Sequence, residues 1–199
     1  MLDDVFRRLA DPEFQSLGAG LMSFPAYVYT YPPEREYEFR EAVATLPERL
    51  RRPNVGQDPL LVNVYEELLS FLEEETLGGR PLLTHILEQE EDAPEKVRRQ
   101  VRQQAKSDRF IQRLADAFHD HVSTESDLDR SYILMHGWGS IHPFLRSSQF
   151  LDRMEGRLGD YKLILFYPGT YENGQFRLFG RLPSNRVYRA SYLNDMIES

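Results

Sequence analysis

The segment "YKLILFYPG", Tyr161–Gly169, constrains the fold most. It is nearly continuous Leu, Ile and Phe, closed by Pro-Gly. It does not alternate apolar with polar residues, so it does not read as a strand with one wet face. It reads as a strand covered on both sides, the kind found in parallel sheets between helical layers. It is also far shorter than the roughly 20 apolar residues that span a bilayer.

The rest of the chain is organised around such a sheet. "PAYVYTY" (Pro25–Tyr31), "PLLVNVYE" (Pro59–Glu66) and "YILMHG" (Tyr132–Gly137) read as further strands. Helical patterns separate them. Leu2, Val5, Phe6 and Leu9 form one apolar stripe, and "PEREYEFREAVATLPERL" starts with a proline and acidic residues suited to a first helical turn. Helices are expected around Leu68–Leu72, over Pro81–Asp92, over Pro94–Val122 as one or two, and over Pro143–Leu158. Ser107 is a candidate N-cap, with Ile111, Leu114, Ala115, Phe118 and Val122 as the buried face behind it. Asn173-Gly174 is a tight-turn signal, and "RLFG" and "RVYRASYL" read as short antiparallel strands at a sheet edge. The expected fold is therefore α/β in three layers, with a mostly parallel sheet and helices on both faces. A helical insertion over about 68–122 and a C-terminal antiparallel edge complete it, as one domain over 1–199.

Composition narrows the chemistry. The 199 residues contain no cysteine, which removes disulfides, thiolate metal sites and cysteine nucleophiles. The net charge of −8 disfavours a general affinity for nucleic acid. The start "MLDDVFRRLADPEF" has neither the basic opening nor the apolar core of a signal peptide. A soluble, cytoplasmic protein with no membrane contact is the expectation.

The candidate ligand loop is His136, Gly137, Trp138, Gly139, Ser140 and His142. A strand, a Gly-x-Gly turn and a helix are the local design of many phosphate sites. Yet no Lys-Ser or Lys-Thr follows, and the third glycine of a dinucleotide fingerprint is replaced by His142. The alternative is a tight turn whose glycines permit positive φ and close packing of Trp138. His136 and His142 alone are too few ligands for zinc, and His119 and His121 are two apart on a helix and diverge. Ser140, Ser147 and Ser148 lack a nucleophile elbow. Glu34, Glu36 and Glu66 lie near strand ends, as acid–base candidates or as helix-start residues. The tracts at Glu73–Glu75 and "EQEED" read as solvated helix faces. No catalytic, cofactor or metal residue is assigned, and the chain is expected not to be an enzyme.

Two surfaces read as partner-binding. Tyr171, Phe176, Arg177, Phe179 and Arg181 lie in the glycine hairpin. Tyr188, Arg189 and Tyr192 follow in the tail. Tyr and Arg are enriched at interface hot spots, and a sheet edge invites a second strand, from another protein or from a second copy of this chain. "KVRRQVRQQAK" places Arg98, Arg99 and Arg102 on one side of a helix. That patch is either a salt-bridged surface or a contact to DNA.

Several segments carry a family likeness. "YTYPPEREYEFR", "GWGSIHPFLRSSQFLDRM" and above all "LILFYPGTYENGQFRLFGRLPSNRVYRASYL" resemble the BrxB family of BREX phage-exclusion systems. The likeness runs along the whole chain and is least distinctive over Leu68–Val122. It implies antiviral defence as the setting and a non-catalytic accessory role. It also implies partners: the alkaline-phosphatase-like protein PglZ and other BREX components. It supplies no catalytic residues.

Overall fold

The computed structural model describes residues 1–16, 25–122, 130–157, 161–183 and 190–198. The chain opens with α1 (Asp3–Leu9) and α2 (Pro12–Ser16), then β1 (Ala26–Tyr31). A 3₁₀ turn at Pro33–Arg35 leads into α3 (Glu36–Leu50), which is followed by β2 (Asp58–Asn63) and α4 (Val64–Glu74). A two-stranded ribbon, β3 (Thr76–Leu77) and β4 (Arg80–Pro81), precedes α5 (Leu82–Gln89), α6 (Pro94–Ala105) and α7 (Asp108–His121). Then come β5 (Ser131–His136), α8 (Trp138–Ile141), α9 (Ser147–Met154) and the long β6 (Lys162–Glu172). The chain closes with β7 (Gln175–Leu178), β8 (Leu182–Pro183), β9 (Ser191–Tyr192) and α10 (Leu193–Glu198).

The strands form the expected parallel sheet, in the order β2–β5–β6–β1–β9. β6 is central, and Leu163, Ile164, Leu165 and Phe166 are all fully buried. Alternate residues serve opposite faces. Leu163, Leu165 and Tyr167 join a core built with α4–α9, while Ile164 and Phe166 join one built with α1, α3 and α10. Each such side chain contributes about 1.5–3 kcal/mol by leaving water. The helices over 68–122 are the covering layer of one face, because Phe110, Leu114 and Phe118 share a core with Leu163.

Local chemistry explains the boundaries. β2 stops at Asn63, earlier than the apolar run suggests, because the Asn63 side chain caps α4 by accepting from the Tyr65 N–H. Ser107 caps α7 as expected, accepting from the Phe110 N–H at 3.1 Å. The helix expected over Pro143–Leu158 is shorter, with a turn that follows the cis His142–Pro143 peptide and leads into α9, and Leu158 lies outside the described residues. That turn carries Leu145 into the core.

The antiparallel part springs from the middle of the sheet. Beyond Pro168, β6 leaves its parallel neighbours, and Gly169–Glu172 pair with β7, which pairs in turn with β8. β9 runs parallel to β1, against the expectation for "RVYRASYL". Contacts at the end of β9 and the start of α10 set that direction, because Tyr192 and Asn194 must reach the top of β1. The Tyr192 hydroxyl meets Thr30 Oγ1 at 2.8 Å. The Asn194 amide accepts from the Thr30 N–H at 2.9 Å and donates to its carbonyl at 3.0 Å, completing the ladder with a side chain.

Two substitutions test this. A Cβ on Gly169 would lie 2.0 Å from the Arg177 carbonyl oxygen, a backbone atom. Gly169→Ala should therefore cost about 1–3 kcal/mol by forcing the hairpin off β6. Asn194→Ala strips both partners from Thr30 and should cost about 1–3 kcal/mol. Urea unfolding midpoints measure both, and an unchanged midpoint would refute the role given to either residue.

Candidate functional site

The C-terminal ends of the parallel strands form a crest, where ligand sites of open α/β sheets lie. On one side a polar cluster sits under the start of α3. Tyr31 ends β1 and stacks on Phe39, with ring centroids 3.9 Å apart. Its hydroxyl donates to Glu36 Oε2 at 2.6 Å, while Arg40 donates to Glu36 Oε1 at 2.8 Å and to Ser140 Oγ at 3.1 Å. Burial, and then the Glu36 hydrogen bond and charge, push the Tyr31 phenol far above its ordinary range. It is therefore a donor at every physiological pH. Asn63, at the end of β2, donates to Glu66 at 2.7 Å.

His136 ends β5 in the same cluster. Burial holds its imidazole below the ordinary histidine range; Glu66 and Glu36 oppose this and Arg40 reinforces it. It is thus neutral at pH 7. Both Glu36 oxygens are engaged, by Tyr31 and by Arg40, so this carboxylate braces the start of α3.

The glycine loop follows β5. Gly137 has φ +87°, and a Cβ there would lie 2.2 Å from Asn63 Oδ1. Its absent side chain leaves room for the cap of α4. A Cβ on Gly139 would crowd the Phe179 ring at 3.1 Å and Pro168 at 3.2 Å. Both glycines therefore serve packing inside the chain. Trp138 is buried against Phe150, and the His142 ring meets the edge of Phe179 at 6.4 Å.

The hairpin forms the outer wall. Tyr171, Phe176 and Tyr192 cluster, with centroids 4.6 Å and 4.5 Å from Tyr171 to the other two. Phe176 is buried, which removes it from the exposed partner-binding set. Tyr171 is 37% exposed, Phe179 41% and Leu182 44%. Arg177 faces Glu172 at 3.5 Å, and Arg181 is exposed. Tyr188 and Arg189 lie outside the described residues. A cleft of about 530 Å³ between the ends of β1 and β6 is walled by Tyr31, Pro33, Gly169, Tyr171, Phe179 and Asn194. The sequence reading missed Tyr37, which is 84% exposed on α3. The available signal was its place off the buried stripe of Phe39, Val43, Leu46 and Leu50.

A family model described as "BREX protein BrxB" matches residues 60–193. The chain belongs to this family. A BrxB protein of Bacillus cereus (strain H3081.97) is 24% identical over 195 residues, covering 98% of this chain and 96% of the relative. One from Escherichia coli O9:H4 (strain HS) is 22% identical over 166 residues, covering 82% of this chain and 75% of the relative. No solved structure matches the chain significantly. As a BrxB member the chain is a component of a BREX system, and phage defence is its setting.

The matched span of the family includes β2, the glycine loop, β6 and the hairpin. Glu34 and Glu36 precede it, while His119 and His121 lie within it. His121 meets the Asp58 carbonyl at 3.0 Å while His119 is exposed, so the two do diverge. Among the described residues no three His, Cys, Asp or Glu side chains gather as a metal site, and no helix is long and apolar enough to cross a membrane. The acidic end of α4 is not simply solvated, since Glu74 and Glu75 pair with Arg113 and Arg109 of α7.

The partly buried histidines His136 and His142 should make the stability of the chain pH-dependent. The His136 and His142 imidazoles are both held below the ordinary range, His142 by burial and then by Arg146. On acidification the unfolded chain takes up these protons first. Their contribution is complete above about pH 6.5 and is lost as the pH falls below it. His136→Gln should flatten the loss between about pH 7.5 and 5.5 in urea unfolding. An identical pH slope in the variant would exclude His136 as a cause.

Proposed function

We propose that this BrxB protein is a non-catalytic adaptor that holds a PglZ-like partner against the crest of its sheet. One observation carries this reading. Phe179, a non-glycine residue, sits at φ +55° with its ring over Gly139 and 41% exposed. That backbone conformation is uncommon for a bulky residue and costs free energy. The hydrogen bond from the Phe179 N–H to the Pro168 carbonyl, at 2.9 Å, holds the residue in place. The ring is thus presented by a rigid turn, and Tyr171 and Arg181 flank it on the same hairpin. A preorganised aromatic loses little entropy on docking.

Glu36, Tyr31, Arg40 and Ser140 bond to one another and so tie the start of α3 to the end of β1 and to α8, a bracing role that the adaptor reading accommodates.

Co-purification with the PglZ-like protein of the same system tests the proposal. Tyr171→Ala combined with Phe179→Ala should weaken the complex by roughly thirtyfold or more, the size of a 2 kcal/mol hot spot. Leu87→Ala, at an apolar residue 60% exposed on α5, should leave it intact. No complex with the parent chain, or equal loss in both variants, would end this reading.

A further inference from the structure

The turn between α8 and α9 borders a second feature, which shares the glycine loop and the hairpin with the crest. A cavity of about 300 Å³ lies there, at the lower end of the size range of ligand pockets. Trp138, Leu145, Tyr167, Leu178 and Leu182 supply apolar and aromatic walls. His142, Arg146, Ser147 and Ser148 supply polar ones. The indole N–H of Trp138 is buried and meets no acceptor, an omission that ordinarily costs stability. α9 begins in the cavity wall with no side-chain cap on its first turn. Its N-terminus therefore turns partial positive charge towards the same space.

Beside the cavity lies a hollow walled by Glu95, Arg98, Arg99, Arg102 and Pro143. Pro143 lines both, so they adjoin. Arg98 is neutralised by Glu95 at 2.7 Å. Among the described residues, Arg99, Arg102, Lys106 and Arg146 form no ion pair. The Lys106 ammonium is held below its ordinary range by burial, and then by the like charges of Arg102 and Arg146. Those three cations therefore share one neighbourhood. Elsewhere on the helical layer Arg109, Arg113 and Arg153 each face a carboxylate. Unpaired like charges gathered on a chain of net charge −8 repel one another unless an anion joins them.

We propose that the cavity and the hollow together bind a nucleoside phosphate, with its ring against Trp138, Tyr167 and Leu178 and its phosphates against Arg99, Arg102 and Arg146. The apolar walls call for a planar, weakly polar group. The cations call for more than one negative charge. A cavity of about 300 Å³ is the size of a small-molecule site.

Calorimetry on the full chain with ATP, adenosine and tripolyphosphate tests this. ATP should bind most tightly, tripolyphosphate more weakly and adenosine weakest. Arg146→Glu should weaken ATP at least about tenfold, the loss of one charge-assisted hydrogen bond. Leu182→Asp, at an exposed residue of the cavity wall, should weaken ATP and spare tripolyphosphate. Thermal melts confirm that both variants are folded. No heat with ATP at millimolar concentration overturns the proposal. So does equal binding of ATP and tripolyphosphate with Leu182→Asp silent, which would reduce the site to a surface anion patch. A DNA duplex that displaces ATP and is itself lost with Arg146→Glu would overturn it in favour of nucleic acid.

Discussion

At Pro168-Gly169 a single strand changes partners, and the rest of the molecule is arranged around that change. Up to Pro168, β6 is the buried axis of a parallel sheet, flanked by β1 and β5. From Gly169 it pairs with β7 in the opposite sense. Proline removes a ladder donor where the parallel pairing ends, and glycine admits the Arg177 carbonyl where the antiparallel pairing begins. A side chain at Gly169 would separate the hairpin from the sheet. Without the hairpin, Phe179 would not lie over Gly139 and the crest would lack its outer wall.

The crest illustrates how strand ends are closed by groups of the chain itself. Each parallel strand ends in groups that must be satisfied. β1 ends in Tyr31, bonded to Glu36. β2 ends in Asn63, which caps α4. β5 ends in His136, kept neutral by burial. The glycines between these groups are small because Asn63 and Phe179 occupy the space beside them. A glycine pattern that resembles a phosphate cradle is here a record of close packing between three chain segments.

The layered fold was legible because its signals are strong and local. A nonalternating apolar run reports a strand with two covered faces, and the helix signals between strands report crossovers. Ser107 was legible as a cap for the same reason, since a serine before an amphipathic stretch has one good use. The less legible features depend on contacts distant in sequence. The Asn194 amide completes the β1 ladder across 164 residues, and no local pattern marks it. The direction of β9 depends on that contact. Phe176 and Phe179 look alike in "GQFRLFG", yet the register of β7 against β6 buries the first and the turn at Phe179 exposes the second.

Charge placement separates the two surfaces of the molecule. Several exposed arginines face a carboxylate, as Arg35 does with Glu38 and Arg80 with Glu88. Such pairs contribute little to stability, but they neutralise the surface. The tract at Lys96–Lys106 was legible as basic, and its partial compensation by Glu95 was too. Its convergence with Arg146 was not, because it requires the turn between α8 and α9 to face α6. The crest carries exposed aromatics beside the paired charges of Glu36 with Arg40 and Glu172 with Arg177. The α6–α9 hollow carries uncompensated charge beside an apolar cavity, the makeup of a site that an anion would complete. Leu178 and Leu182 belong both to the hairpin and to the cavity wall, so the proposed partner and the proposed ligand would share these residues.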